Sequence, residues 1–334
     1  MEHTAIPLPA FALGTARLDG AARAVVLRHG RLLDLDSVSD ALGLPTPITT
    51  RAILEEWDRT LPLVRAASDS AAGSWHDLGA AELSSPVDPR QILQAGVNYR
   101  AHVIDLAVAH TDIANGRTEQ QVREETTAMM DKRAAEGEPY FFIGLPSAVT
   151  GPYDTVTLPP GTKNNDWELE LAAVVGRRAH RLDPSNALDA VAGYTIVNDL
   201  TTRELVFRRD MPEIGTDWLR AKNAPGFLPV GPWIVPAEDA GDVSEMRLTL
   251  ELNGKTMQDE STKDMLFGVA ELIAAVSRTV TLLPGDLVLT GSPAGNGMHW
   301  GRLLRDGDIM TSTISGLGHQ RTAVADGESV GSQA

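Results

Sequence analysis

The run that decides how this chain folds is DWELELAAVV, residues 166–175. Side chains alternate across a strand, so Glu168 and Glu170 project from one face while Trp167, Leu169 and Leu171 project from the other. The continuation Ala172-Ala173-Val174-Val175 is apolar on both faces, the pattern of a strand covered on both sides. Glutamates on the covered part of such a strand need partners, because two buried, unpaired carboxylates repel and raise each other's pKa. A hard cation that takes oxygen ligands supplies them. Taken alone, the pair is also what an exposed strand face presents.

Working outward, GYTIVND (residues 193–199) is a β-rich run ending in Asn198-Asp199. An acid at a strand end is commonly a turn former or helix cap. Beside the glutamate pair it becomes the third ligand of a carboxylate-only site, which by ligand type favours Mg²⁺, Mn²⁺ or Ca²⁺ over Zn²⁺. In GVNYRAHVID (residues 96–105), a helix beginning near Arg100 puts His102 and Asp105 three apart on one face. The carboxylate can then orient the imidazole as a general base for water, although surface pairs read the same way. LPGDLVLTGSPAG (residues 283–295) is a strand feeding a Gly-rich loop, able to offer backbone N–H groups and a Thr hydroxyl to an anion.

The rest of the chain divides in two. Residues 10–36 read as a small β unit with turns at Asp19-Gly20 and around Gly30, and residues 50–67 carry apolar residues at helical spacing with Thr49 or Thr50 as cap. Residues 68–88, rich in Ser, Ala, Asp and Pro, read as a linker, so a small N-terminal α+β domain with its linker is assigned to 1–88. A larger domain over 89–326 follows, dominated by strands, with a polar, helical but frayed stretch at 102–135 that suits a lid. Residues 327–334 read as a disordered tail. The fold class is therefore α+β and β-rich.

Composition narrows the partners. The 334 residues are 43% hydrophobic and 22% charged, an ordinary globular balance. With 29 Lys plus Arg against 45 Asp plus Glu, the net charge of −16 disfavours nucleic acid and anionic lipid. The absence of cysteine removes disulfides and thiolate sites and fits a reducing cytoplasm. No signal peptide or membrane span is expected from the N-terminal sequence or from any apolar run.

In this serial order, GVNYRAH, PSAVTGPYDTVTLP, DWELELAAVVG, AGYTIVNDLTTRE, AKNAPGFLPVGPW, LPGDLVLTGSPAG and GDIMTSTISGLGHQRT resemble the fumarylacetoacetate hydrolase superfamily, in its acylpyruvate hydrolase and 2-hydroxyhepta-2,4-diene-1,7-dioate isomerase-like branch. The resemblance covers roughly residues 90–325 and implies a mixed β-roll catalytic domain and a homodimer. It further implies one divalent cation, Mg²⁺ ahead of Mn²⁺ or Ca²⁺, on Glu168, Glu170 and Asp199, and a water-activating His102–Asp105 dyad on a lid. Lys222 is implied as catalytic and substrate-binding, with Tyr99, Arg203, Thr290 and Gly291 as further substrate contacts. Three departures stand out. Asp105 lies where relatives often have Glu, Gly144 where many have Lys, and Val206 where Gln is frequent.

The function this implies is hydrolysis of a carbon–carbon bond in a small anionic 2-oxo or 2,4-dioxo acid of acylpyruvate or fumarylpyruvate type, through a metal-stabilised enolate. Two alternatives use the same site without an attacking water, namely decarboxylation of oxaloacetate-like acids and keto–enol isomerisation. A third is a non-catalytic binding protein that keeps the cation as a structural element.

Overall fold

The structure is a computed structural model and describes residues 7–70, 72–110 and 117–327. At its centre a six-stranded sheet runs in the order Val235–Pro236, Val191–Asn198, Leu169–Val175, Leu287–Leu289, Ile92–Gly96, Tyr140–Gly144. Only the Leu287–Leu289 and Ile92–Gly96 pair is parallel. A five-stranded sheet, Lys255–Ser261, Arg247–Leu252, Ile309–Ile314, Gly318–Asp326, Val156–Leu158, packs against it.

Every residue of Leu169–Val175 is buried, as its two-sided apolar pattern requires. Leu169, Leu171, Ala173 and Val175 pack into one core with Leu248, Leu250 and Met310 of the second sheet and Leu272 and Ile273 of the Val269–Thr279 helix. Ala172 and Val174 pack on the opposite face, with Leu13, Val26, Ile53 and Trp57. Each large side chain so buried contributes about 1.5–3 kcal/mol. Glu168 and Glu170 continue the face of Ala172 and Val174, at the end of the strand that meets a cavity.

The N-terminal hairpins form where the turn residues lie. Asp19 and Gly20 have φ of 49° and 81°, and His29 and Gly30 have 52° and 72°, the paired positive values that match the twist of a tight hairpin. The helical period of residues 50–67 resolves into Thr50–Glu55 and Trp57–Asp69, separated at Glu56, with the Thr49 hydroxyl accepting from Ala52 N.

Residues 68–88 are not a linker. Strands Ser74–Asp77 and Glu82–Ser84 form the two edges of a five-stranded antiparallel N-terminal sheet, in the order Ser74–Asp77, Arg31–Asp34, Ala21–Arg28, Phe11–Leu18, Glu82–Ser84. Short edge strands need a backbone partner on one side only and tolerate polar side chains, so composition alone misreads them. This unit shares a core with the central sheet, and Leu13 and Ile234 exchange backbone hydrogen bonds at 2.9 and 2.8 Å.

The polar stretch expected as a lid contains two helices, Arg100–His110 and Glu119–Glu136. The second opens with a capping box between Thr118 and Gln121 and buries Val122, Thr126 and Met130, four apart on one face. Residues 111–116 of the lid lie outside the described residues, as does the expected disordered tail except Gly327, whose N–H donates to Leu158 O at 3.0 Å. No helix among the described residues is long and apolar enough to cross a membrane.

Candidate metal centre and active site

Glu168, Glu170 and Asp199 meet. One carboxylate oxygen from each lies within 4.8 Å of the others, and all three residues are buried. Strand register brings this about: Leu169 pairs with Asn198, so Asp199, one residue beyond, sits beside Glu168 and donates its N–H to the Glu168 carbonyl at 2.9 Å. After Leu287–Leu289 the chain turns through Gly291, and the Gly291 N–H donates to Glu170 Oε2 at 2.8 Å. Gly291 has φ of +89°, and a Cβ there would lie 3.2 Å from both Ala95 O and Asn98 Cβ, so only glycine suits the turn.

Two cations are locked onto the carboxylates. Lys222 Nζ lies 2.5 Å from Glu168 Oε2 and 2.5 Å from Asp199 Oδ2, and 3.0 Å from the Asp199 carbonyl, which commits all three of its donors. Arg203 donates through Nη2 to Glu168 Oε1 at 2.6 Å and through Nε to Asp166 Oδ2 at 2.8 Å. Gln94, from Ile92–Gly96, donates through Nε2 to Asp199 Oδ1 at 2.6 Å.

The charges do not balance. Four buried carboxylates, Asp166, Glu168, Glu170 and Asp199, face Lys222 and Arg203, an excess of two negative charges. Burial works to raise Glu168, but Lys222, Arg203 and His102 outweigh it and hold that carboxyl at about 2. Burial pushes Asp199 up to about 6, against the pull of Lys222. Glu170 carries the shortfall: burial, then the Asp199 charge, push it well above the carboxylate range. An oxygen-only cluster short of two positive charges is what a dication fits, so the residues present suit the group that the sequence implies.

Residues 91–325 match the family described as "Fumarylacetoacetate (FAA) hydrolase C-terminal". The chain belongs to the fumarylacetoacetate hydrolase family. Among its relatives, 2,4-didehydro-3-deoxy-L-rhamnonate hydrolase of Sphingomonas sp. (strain SKA58) is 39% identical over 199 residues, covering 59% of this chain and 68% of that protein. The mitochondrial oxaloacetate tautomerase FAHD2A of Bos taurus is 31% identical over 291 residues, covering 86% and 82%. The crystal structure of maleylpyruvate hydrolase from Sphingobium sp. SYK-6 superposes with a TM-score of 0.71 at 25% identity, covering 94% of this chain and 100% of that one. The mixed sheet architecture is thus the fumarylacetoacetate hydrolase fold, and the 94% of this chain that superposes takes in most of the N-terminal unit as well.

Within this family site, the cavity next to the carboxylates is lined by His102, Arg203, Lys222 and Gly291, together with the metal-site trio. Two expected substrate contacts lie behind that wall. The Thr290 hydroxyl is fully buried and donates to Leu171 O at 2.9 Å, and Tyr99 is fully buried, with burial raising its phenol far above the ordinary value. The expected dyad is not joined either. Asp105 accepts from Arg123 Nη1 at 3.1 Å and lies 3.3 Å from His299 Nδ1. His102 is buried, and burial lowers its pKa to about 4, with Glu168 the strongest opposing charge and Asp105 a weaker one. The Asp105 carboxylate is instead used between Arg123 of the Glu119–Glu136 helix and His299.

Sequence reasoning assigned no role to Asp166 and Gln94. Asp166 is fully buried, accepts from Gly297 N at 2.5 Å, and holds Arg203 against Glu168. Its signal was the spacing of two that links residues 166, 168 and 170 on one strand face. Gln94 was detectable as a polar residue within the apolar Ile92–Gly96 strand.

Proposed function

We propose that this chain is a divalent-metal-dependent hydrolase that cleaves the C3–C4 bond of a small 2,4-dioxo acid of the acylpyruvate or fumarylpyruvate type. The observation that carries the reading is the buried carboxylate trio sharing one cavity of about 150 Å³ with the buried His102. Glu168, Glu170 and Asp199 would hold the cation, Mg²⁺ ahead of Mn²⁺ or Ca²⁺. When bound, the cation supplies Lewis-acid polarisation of the 2-oxo group and a counter-charge for the enolate.

The chain's own residues do the rest. The His102 imidazole takes a proton from water, whose oxygen bonds to C4. The C3–C4 bond breaks, its electron pair stays on the pyruvate fragment as an enolate, the acyl fragment leaves as a carboxylic acid, and C3 regains a proton. Lys222 and Arg203 are positioned positive charges that oppose the charge building on the enolate oxygen. The test follows pyruvate released from 2,4-dioxopentanoate with Mg²⁺ and with EDTA; loss of release on chelation supports the reading, and release that ignores metal overturns it.

A second reading, enol–keto tautomerisation or decarboxylation of oxaloacetate-like acids, is favoured by Asp105 being paired with Arg123 and His299, away from His102. Those reactions need the carboxylates and a proton carrier but no activated water. Oxaloacetate turnover, read as enol absorbance and CO₂, without any cleavage of dioxo acids assigns the site to them.

The proposed assembly is a homodimer. Phe207, Ile214 and Leu219 are 62%, 58% and 64% exposed within one short segment beside the site, an apolar patch that a second copy would cover. A monomer by light scattering overturns this.

A further inference from the structure

Past the carboxylates the cavity changes character. Its outer wall is made by Val97, Val103, Tyr140, Phe142 and Trp218. Phe142 and Trp218 stack with ring centroids 4.9 Å apart and planes inclined by 21°. The short helix Trp218–Lys222 sets up this division: its first residue turns an indole to the apolar side, and its last brings the ammonium to Glu168 and Asp199.

The cations near this wall are all committed. Lys222 and Arg203 are held by Asp166, Glu168 and Asp199. On the lid, Arg123 is paired with Asp105 and Glu119, while Arg133 donates to the Val97 carbonyl and lies over the Phe267 ring. Gly144 adds none, and a Cβ there would stand 2.8 Å from Gln94 Oε1, so Gln94 fills the space that a longer side chain would need. Among the described residues lining the outer wall none is a free cation, so a carboxylate placed there would give up water without meeting an opposite charge, the Tyr140 phenol being the wall's one hydroxyl among them.

We infer that the group carried on C4 of the substrate is uncharged and apolar, an alkyl or flat aryl group lying against Phe142 and Trp218, and that dicarboxylic dioxo acids are poor substrates. This rests on the proposed reaction and, of the two substrate types given for it, selects the acylpyruvate type and sets aside the dicarboxylic fumarylpyruvate type. Val103 and Trp218 are the residues that set the preference.

The experiment compares 2,4-dioxoheptanoate with 2,4-dioxoheptanedioate, equal in length and different only in a terminal methyl or carboxylate. With the Mg²⁺-loaded protein, kcat/KM for pyruvate release is expected to favour the uncharged acid by about tenfold or more, since a carboxylate taken from water to a wall without an opposite charge loses hydration that is not replaced. Val103→Arg is expected to shift the preference toward the dicarboxylate, and Trp218→Ala to raise KM for the uncharged acid. Binding of both acids to Mg²⁺-loaded His102→Ala protein is measured by calorimetry in parallel. Equal or better binding and turnover of the dicarboxylate overturns the inference and leaves the reaction standing. Tighter binding of the uncharged acid with no pyruvate from either overturns the reaction and leaves the tail preference standing.

Discussion

Arg203 holds Glu168: its Nη2 donates to Glu168 Oε1 at 2.6 Å, across 35 residues of sequence. An arginine expected to touch substrate thus steadies a carboxylate of the candidate metal site. Its Nε binds Asp166, which is fully buried, so the guanidinium neutralises two acids that have little access to water.

Arg203→Met is therefore expected to destabilise the metal-free protein by about 3–5 kcal/mol, the cost of leaving buried charge unpaired. Mg²⁺ should restore more stability to the variant than to the parent, because a dication replaces part of the missing charge. Urea unfolding with and without Mg²⁺ reads both effects, and coincident midpoints for the two proteins count against the clamp.

Glu170 lacks a cationic partner among the described side chains, its Oε2 being held by the Gly291 N–H. Glu170→Gln replaces a group whose charged form is disfavoured by burial and by Asp199. Without metal the variant should be the more stable protein at pH 7, and its affinity for Mg²⁺ should fall by about tenfold or more with the loss of a charged ligand. Thermal unfolding in EDTA and metal titration calorimetry give the two readings. A variant that binds Mg²⁺ as the parent does removes Glu170 from the site.

His102 acts as a base only when neutral. Burial lowers its pKa from 6.5 to about 4, so the imidazole stays neutral as pH falls through 6.5. At saturating Mg²⁺, kcat/KM should hold steady from pH 8 to 6 and decline toward pH 4, and His102→Ala should lose about 10²–10⁴-fold. An acid limb centred at 6.5 that disappears in the variant would place the imidazole in water rather than in the cavity.

Asp105 joins the Arg100–His110 helix to Arg123 of the Glu119–Glu136 helix and to His299, not to the base. Partly exposed pairs of this kind are worth about 0.2–1 kcal/mol, so Asp105→Asn should raise KM a few-fold and leave kcat within about threefold. A fall in kcat as large as that of His102→Ala restores Asp105 to the dyad. The full pH profile separates the cases further, since an orienting carboxylate also shifts the acid limb and a contact between two helices does not.

The elements were legible wherever the signal was local. Asp19-Gly20 and the neighbourhood of Gly30 announced their hairpins, and Leu169–Val175 announced two-sided burial, because turn conformation and strand alternation are set by residues within a few positions of one another. Ser74–Asp77 and Glu82–Ser84 escaped because an edge strand is defined by the backbone it pairs with, which for Glu82–Ser84 lies almost seventy positions away at Thr15 to Arg17.

The sequence by itself determined the carboxylate site, since a period of two places Glu168 and Glu170 on one face and the serial order of motifs adds Asp199. Tertiary structure alone decided which groups neutralise that site and which do not. Lys222 reaches Glu168 across 54 residues and Gln94 reaches Asp199 across 105, while Asp105 turns to Arg123. Alternation along a strand is a property of the backbone, but the pairing of buried charges depends on how separate strands and helices pack, and no local pattern encodes that.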